Sequence, residues 1–155
     1  MPEHSSKTTL RLREFLPYRL SVLSNTVSGR IADLYDREFG LSVWQWRVMA
    51  VLGENAGITA TQISQVTAMD KVAVSRAVSG LIDSGHVSRK ASPADGRRSI
   101  LSLTAKGKGI YDKIVPIALK AERELIATLS PAEQEQLAHL MEKLARTTEP
   151  DRPLW

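Results

Sequence analysis

Hydrophobic side chains recur along most of this chain at the three- and four-residue spacing of an amphipathic helix. From Leu16 to Leu34 they form one continuous stripe, and Gly40 supplies a helix stop. Capping boxes, in which a Ser or Thr is followed three residues later by Gln or Glu, mark three more helix starts. These starts are Ser42 with Gln45, Thr59 with Gln62, and Ser130 with Glu133. The pattern therefore predicts a mainly helical protein.

The central part of the chain changes its period. Asp70 is a natural N-cap for a helix that ends at Gly85, and a three-residue turn separates this helix from the short one before it. That is the spacing of a helix-turn-helix. Val87–Lys90 and Ser99–Leu103 then indicate two strands around a turn that contains Pro and Asp-Gly. A hairpin directly after a helix-turn-helix predicts a winged helix, and Thr104 predicts the cap of the next helix.

The outer helices carry apolar stripes that a winged helix alone is too small to cover. The simplest partner for these stripes is the same helices of a second copy of the chain. We expect one domain over residues 1–155, with a helical dimerisation region at 16–39 and 105–146 and a winged helix-turn-helix DNA-binding lobe at 42–104. The expected fold class is mainly α with a small β-wing. Residues 146–155, with two prolines, are expected to form a loose tail.

The basic charge of the protein is concentrated in its middle third. The formal net charge is +4, and it divides into +1 over residues 1–58, +5 over 59–110 and −2 over 111–155. A local patch of this sign is typical of a surface that contacts phosphates, and a solvated basic face is the alternative. The predicted winged helix favours the first interpretation, so double-stranded DNA is the expected partner.

Other classes of function are disfavoured by what the sequence lacks. It has no cysteine, which excludes disulfides, thiolate metal sites and reactive thiols, and its three histidines are scattered. No glycine-rich phosphate loop, paired carboxylates or Ser-His-Asp arrangement suggests an enzyme. No segment has the ~20 apolar residues of a membrane helix, and the N-terminus lacks the apolar run of a signal peptide. We expect a soluble, cytoplasmic protein without catalytic activity, metal or cofactor.

The predicted recognition helix, which follows Asp70, has one polar side. The positions expected to face DNA are Lys71, Val72, Ser75, Arg76 and Ser79. Arg76 is the candidate for bidentate contact with guanine, and a phosphate contact is the alternative. Thr61 and Gln62, in the preceding helix, are either phosphate donors or capping residues.

The wing turn carries the other candidate contacts. Arg97 and Arg98 lie at its tip, where a guanidinium can enter a narrow minor groove. Asp95 is an unusual neighbour for a phosphate-binding group. We therefore expect it to position the wing, by an ion pair with Arg97 or Arg89 or by an Asx turn.

Two sequence motifs in this lobe are similar to motifs of a known protein family. The first is Asp95-Gly-Arg97-Arg98 followed by Leu103-Thr104-Ala-Lys-Gly107, which is similar to a D-x-R wing tip and an L-T-x-x-G sequence. The second runs from Asp70 through Arg76 and Gly85 to Arg89, and is similar to a recognition helix and first wing strand. Together, in this order, they resemble the multiple-antibiotic-resistance regulator (MarR) family of bacterial transcription factors. The resemblance extends over about residues 16–144.

The resemblance implies an obligate homodimer that binds a palindromic operator, usually as a repressor of neighbouring genes, and that a small ligand releases. The chain departs from the family's peroxide-sensing branch because it has no thiol, and its sparse histidines argue against the zinc-sensing branch. Leu16–Asn25 is similar to a subgroup that controls aromatic-acid catabolism. The implied effector is therefore an aromatic acid or an aryl-CoA thioester.

The family's effector pocket lies where the first, second and fifth helices meet the winged lobe. A guanidinium and a stacking surface there would suit an aromatic acid. The implied lining residues are Tyr18, Arg19, Asn25, Ser28, Trp46 and Arg47. For two of them a structural role is the alternative, with Trp46 in the core and Arg47 in an interhelix ion pair.

A winged-helix architectural or protein-interaction module without an effector is the alternative function. The basic recognition helix and the arginines of the wing argue against the protein-interaction module. Binding to random DNA at low and high salt distinguishes a DNA-binding protein from a protein-interaction module.

Overall fold

Six helices and a two-stranded antiparallel sheet form the parts of the chain that the computed structural model describes, residues 9–67 and 69–149. A 3₁₀ turn at Leu12–Glu14 precedes them. Their order is α1 (Leu16–Phe39), α2 (Val43–Glu54), α3 (Ala60–Val66), α4 (Lys71–Asp83), β1 (Val87–Ala91), β2 (Ser99–Leu103), α5 (Ala105–Ile126) and α6 (Pro131–Thr148). The predicted fold class, mainly α with a small β-wing, is confirmed.

The helix ends are fixed by the short-range groups that the sequence predicts. The Ser42 hydroxyl accepts from the backbone N–H of Gln45 at 3.2 Å, and Gln45 Oε1 accepts from the backbone N–H of Ser42 at 3.0 Å. The same reciprocal pair is present at Thr59 and at Ser130. Asp70 caps α4 by accepting from the Ala73 N–H at 2.8 Å. Each such cap contributes about 1 kcal/mol, because it satisfies a backbone N–H that has no partner within the helix.

The core of the winged lobe lies between α2, α3, α4 and β2. Helix α4 buries one face, formed by Val74, Ala77, Val78 and Leu81. Ile63 of α3, Met49 of α2 and Leu101 of β2 are buried in the same core. The recognition helix is therefore held by its apolar side, which leaves its polar side at the surface.

The Leu-Thr-x-x-Gly motif joins the wing to the end of α4. The Thr104 hydroxyl donates to the Gly85 carbonyl at 2.7 Å and accepts from the Gly107 N–H at 3.0 Å. The backbone N–H of Thr104 donates to the His86 carbonyl at 3.0 Å. Gly107 is buried against this same carbonyl, and a Cβ at Gly107 would overlap its oxygen. The motif thus fixes where the wing leaves the recognition helix, and we call this contact the α4–α5 clamp.

Side chains at the end of α4 complete the clamp. Lys106 Nζ donates to the Ser84 carbonyl at 2.7 Å, so an ammonium group lies at the negative end of the helix. The Ser84 hydroxyl lies 2.7 Å from Nδ1 of the buried His86. Burial and the nearby Lys106 charge lower the pKa of His86 below its usual 6.5.

The outer helices expose the apolar stripes that the sequence predicts. Leu20 and Leu23 of α1 are 48% and 60% exposed, and no residue of α6 is buried. The prediction of a loose tail from residue 146 is wrong for its first residues, because α6 continues to Thr148. Arg146 supports this last turn by an ion pair with Glu142 at 2.7 Å. Residues 150–155 of the predicted tail lie outside the described residues.

No helix in the described ranges has the length and apolar content needed to cross a membrane. No group of three or more His, Asp or Glu side chains there is arranged to hold a metal ion.

Candidate nucleic-acid interface

The exposed face of α4 consists of the side chains that the sequence predicts. They are Lys71, Val72, Ser75, Arg76 and Ser79. These positions follow the helical repeat opposite the buried residues, so they form one stripe that begins at the N-terminus of the helix. A stripe of cationic, hydroxyl and apolar groups on a recognition helix is suited to the edges of bases in a major groove.

A basic cleft lies between α3 and the wing. Its volume is about 680 Å³, and three arginines line it from the wing side: Arg89, Arg97 and Arg98. The other lining residues, mostly polar, are Thr59, Ala60, Thr61, Gln62, Gln65 and Ser99. Guanidinium, hydroxyl and amide groups can all donate hydrogen bonds to the oxygens of a phosphate, so the cleft is suited to bind one. We call this feature the wing cleft.

A non-local backbone contact builds the wing cleft. Leu101 donates its N–H to the Ile58 carbonyl at 2.8 Å, and Ile58 donates to the Leu101 carbonyl at 3.3 Å. This bridge holds the start of α3 beside β2. The bridge could not be predicted from the sequence, and neither could the presence of Gln65 and Ser99 in the cleft, because a single paired residue leaves no periodic pattern.

The wing turn is held by Asp95. Its Oδ1 accepts from the Arg97 N–H at 3.1 Å, which is the expected Asx turn. Its ion pair is with Arg98, with Oδ2 at 3.5 Å from Nε, so the expected pairing with Arg97 or Arg89 is wrong. While one oxygen of the Asp95 carboxylate accepts from the Arg97 N–H, its second oxygen lies beside the Arg98 side chain, so Arg98 is the arginine that forms the ion pair. The groups are exposed, so the pair orients Arg98 more than it stabilises the fold.

Thr61 and Gln62 contribute differently to the wing cleft. Gln62 Oε1 accepts from the Thr59 N–H at 2.9 Å, so this side chain caps α3 and lines the cleft at the same time. Thr61 is exposed in the first turn of the same helix. The capping role of Gln62 is therefore present, and its position is also compatible with a phosphate contact.

Of the two roles considered for Trp46, the structure shows the structural one. Trp46 packs against the core, between two aromatic rings. Its ring centroid is 5.7 Å from that of Tyr35 and 5.8 Å from that of Tyr111. Trp44, in contrast, is 44% exposed. Helix α2 contacts α4, α5 and α1, and Trp44 lies in its first turn.

Arg47 joins α2 to α1. Its NH2 group donates to the Ser28 hydroxyl at 3.2 Å, and its guanidinium carbon lies 5.1 Å from the centroid of the Trp44 ring. The contact between helices is thus a hydrogen bond and a cation–π contact instead of the ion pair considered as an alternative. A guanidinium, a hydroxyl and an aromatic face are brought together here.

The other expected pocket residues are not part of this group. Tyr18, Arg19 and Asn25 are exposed on α1. At the rise of an α-helix, Arg19 lies about 14 Å along the axis from Ser28. One protomer therefore does not assemble the six expected residues into one site.

Tyr35 is a buried polar group that the sequence analysis missed. The residue is fully buried, and in the described part of the chain its hydroxyl is the buried side-chain atom that lacks a hydrogen-bond partner. Burial raises the pKa of Tyr35 to about 12, with Asp36 adding to the increase and Arg47 opposing it. Its position at i+7 from Ser28 on the same helix face was the available signal.

Comparison with known proteins bears on the same region. The MarR family model matches residues 39–98, from the end of α1 to the wing tip. A probable transcriptional regulator from Pseudomonas aeruginosa has a solved structure with 31% identity and a TM-score of 0.72, covering 86% of this chain and 99% of that one. The chain belongs to the MarR family. The residues that the family model matches include α4 and three of the wing arginines, so the membership covers the candidate interface.

Two other similar proteins give this MarR chain a functional context. The transcriptional repressor Rv2887 of Mycobacterium tuberculosis is 25% identical over 131 residues, which are 84% of this chain and 91% of the relative. A mutant of Escherichia coli MarR, solved in complex with operator DNA, has 25% identity and a TM-score of 0.76, covering 88% of this chain and 99% of that one. The chain is accordingly a winged-helix transcriptional regulator.

Proposed function

We propose that this MarR-family regulator is a repressor that binds a palindromic operator in double-stranded DNA as a homodimer. The observation that carries the proposal is the wing cleft beside the exposed face of α4, because the two surfaces together offer base-reading and phosphate-binding groups. The E. coli relative solved with operator DNA supports the same assignment. The helical region at 16–39 and 105–146 would form the dimer, and the lobe at 42–104 would bind DNA.

The residue roles follow from the chemistry of each surface. Arg76 would donate to guanine O6 and N7, while Lys71, Ser75 and Ser79 would contact phosphates or neighbouring bases. Thr61, Gln62 and Arg89 would hold a backbone phosphate in the wing cleft, and Arg97 and Arg98 would enter the minor groove. Asp95 would act through Arg98 by fixing its direction.

Selection from random double-stranded DNA tests the DNA-binding role. We expect enrichment of an inverted repeat whose half-site centres lie about 10 bp apart, one turn of the duplex. Arg76→Ala should then lose discrimination at one base position in each half-site, by roughly 1–3 kcal/mol. Arg146→Ala removes the same charge from α6 and should leave the selected sequence unchanged. Equal enrichment of all sequences would favour the architectural module, and no DNA retention at low salt would favour the protein-interaction module.

The proposed dimer is supported by apolar surface that one protomer leaves exposed. On α6 this surface comprises Leu137, Leu140, Met141 and Leu144, which are 44–47% exposed. A groove of about 470 Å³ between α1 and α5 is lined in part by Leu23, Val27, Ile31, Leu34, Ala121 and Leu125. A second copy would cover both surfaces by placing apolar helix faces against apolar grooves.

A pair of neighbouring substitutions tests the dimer. Leu140→Asp places a charge in the proposed interface and should produce a monomer or an unfolded chain in sedimentation equilibrium at micromolar concentration. His139→Asp places the same charge on the opposite side of α6 and should remain a dimer. A wild-type protein that sediments as a folded monomer at that concentration would contradict the proposal.

The effector part of the proposal centres on Arg47. Its guanidinium, the Ser28 hydroxyl and the Trp44 face form a group suited to an aromatic carboxylate, or to the acyl part of an aryl-CoA thioester. Such a ligand would replace the Arg47–Ser28 hydrogen bond, separate α1 from α2 and change the spacing of the two recognition helices. A preference of ~1–3 kcal/mol for the non-binding state suffices for a useful switch.

Titration of a DNA complex with benzoates, cinnamates and their CoA thioesters tests the effector. We expect at least one aromatic acid to release the wild type, and Arg47→Met to bind DNA normally while responding at least tenfold more weakly. Release by thioesters alone would favour competition with DNA at the basic surface. A response that Arg47→Met retains in full would refute the site. As a regulator of this kind the protein would work in the cytoplasm and catalyse no reaction.

A further inference from the structure

Val72 is the exception on the exposed face of α4. Its neighbours on that face carry ammonium, guanidinium or hydroxyl groups, but its own side chain is apolar and 60% exposed. It occupies the second position of the helix, directly after Lys71. A β-branched side chain has no conformational advantage at an exposed helical position, because its χ1 freedom is restricted there.

The position of Val72 places its methyl groups where a recognition helix enters the major groove. Residues near the N-terminus of such a helix reach the base edges. In that groove only one base presents an apolar group, the C5-methyl of thymine, and apolar side chains recognise it by contact. The hydroxyl and charged neighbours on the same face have hydrogen-bonding partners available to them in the groove, whereas Val72 has only this methyl.

We propose that Val72 reads the methyl group of a thymine in each half-site, which makes it a specificity-determining residue. The inference rests on the proposed DNA-binding function. Val72 and Arg76 are one helical turn apart, with Cβ atoms about 6 Å from each other. Since base pairs are stacked about 3.4 Å apart, the thymine lies within about two base pairs of the guanine that Arg76 contacts.

Replacing thymine by deoxyuridine tests the inference, because the change removes the methyl and leaves every hydrogen-bonding group of the base in place. In an operator obtained by selection, each thymine of the half-site is replaced in turn, together with its symmetry mate. At one position the wild type should lose about fourfold in affinity per half-site, the effect of one buried methyl group, and about fifteenfold for both.

Val72→Ala should bind the thymine operator about as weakly as the wild type binds the deoxyuridine operator, and should not distinguish the two. Val66→Ala is the matched control, because Val66 is 59% exposed and lies at the end of α3. It should keep the full preference for thymine. A wild type that is indifferent to deoxyuridine at every position, or a preference that Val72→Ala retains, overturns the inference while leaving specific binding intact. Failure to enrich any operator would instead refute the proposed function itself.

Discussion

Substituting Ala for Gly107 should destabilise the protein, although the same change in a helix is normally favourable. Gly107 is in the first turn of α5, where a new Cβ would overlap the His86 carbonyl oxygen. That oxygen belongs to the backbone and already accepts from Thr104, so it cannot rotate away. The first turn of α5 must move, and the α4–α5 clamp opens.

The expected magnitude follows from three contributions. Replacing Gly by Ala within a helix normally raises the free energy of unfolding by about 1 kcal/mol. Forcing an extra carbon into a filled site costs about 1–3 kcal/mol, and weakening the two hydrogen bonds of the Thr104 hydroxyl costs about 1 kcal/mol for each. We therefore expect Gly107→Ala to lower the free energy of unfolding by about 2–4 kcal/mol.

Gly109→Ala is a matched control in the same helix. Nothing lies within 4 Å of a Cβ at Gly109, so this change should raise the free energy of unfolding by up to ~1 kcal/mol. Urea denaturation at one fixed protein concentration measures both, since dimerisation would make stability depend on concentration. A Gly107→Ala protein as stable as Gly109→Ala would refute the described packing of the clamp.

Three further perturbations test the interior. Tyr35→Phe removes a buried hydroxyl that has no partner in the described chain, so the free energy of unfolding should stay the same or rise; a loss of more than ~1 kcal/mol on urea denaturation would contradict this. Because the pKa of His86 is lowered in the folded state, the unfolded chain binds its proton more readily, and stability should fall as the pH drops below 6.5. His86→Gln should flatten this dependence; a variant whose stability falls as steeply with pH as that of the wild type would contradict the assignment. Gly53→Ala adds a Cβ that overlaps the Tyr111 ring, so it should alter the near-ultraviolet circular dichroism of the aromatic stack, and an unchanged spectrum would contradict that contact.

The helix ends could be predicted from the sequence because their causes are local. A capping box places its two partners within four residues, and the boxes at Ser42, Thr59 and Ser130 all formed. The αL glycine at Gly40 has the same local origin, with φ at 63°. Such features are decided by backbone geometry before any tertiary contact is made.

Prediction from the sequence was undecided or wrong where a tertiary contact chooses between similar local options. Trp44 and Trp46 are both aromatic residues of one helix, and only the positions of Tyr35 and Tyr111 decide that Trp46 is the one packed between rings. The carboxylate of Asp95 can reach more than one arginine, and the turn geometry selects Arg98. The wing cleft was missed as a unit because it depends on the Ile58–Leu101 bridge across 43 residues of sequence.

The salt dependence of operator binding tests most directly the claim that the wing and recognition helix hold DNA phosphates. If a dimer neutralises about eight phosphates, the logarithm of the association constant should fall with the logarithm of salt concentration at a slope near −7. Arg89→Ala removes one cation of the wing cleft from each protomer, so its slope should be smaller in magnitude by about 2. A wild-type affinity independent of salt, or an Arg89→Ala slope equal to that of the wild type, would contradict the account.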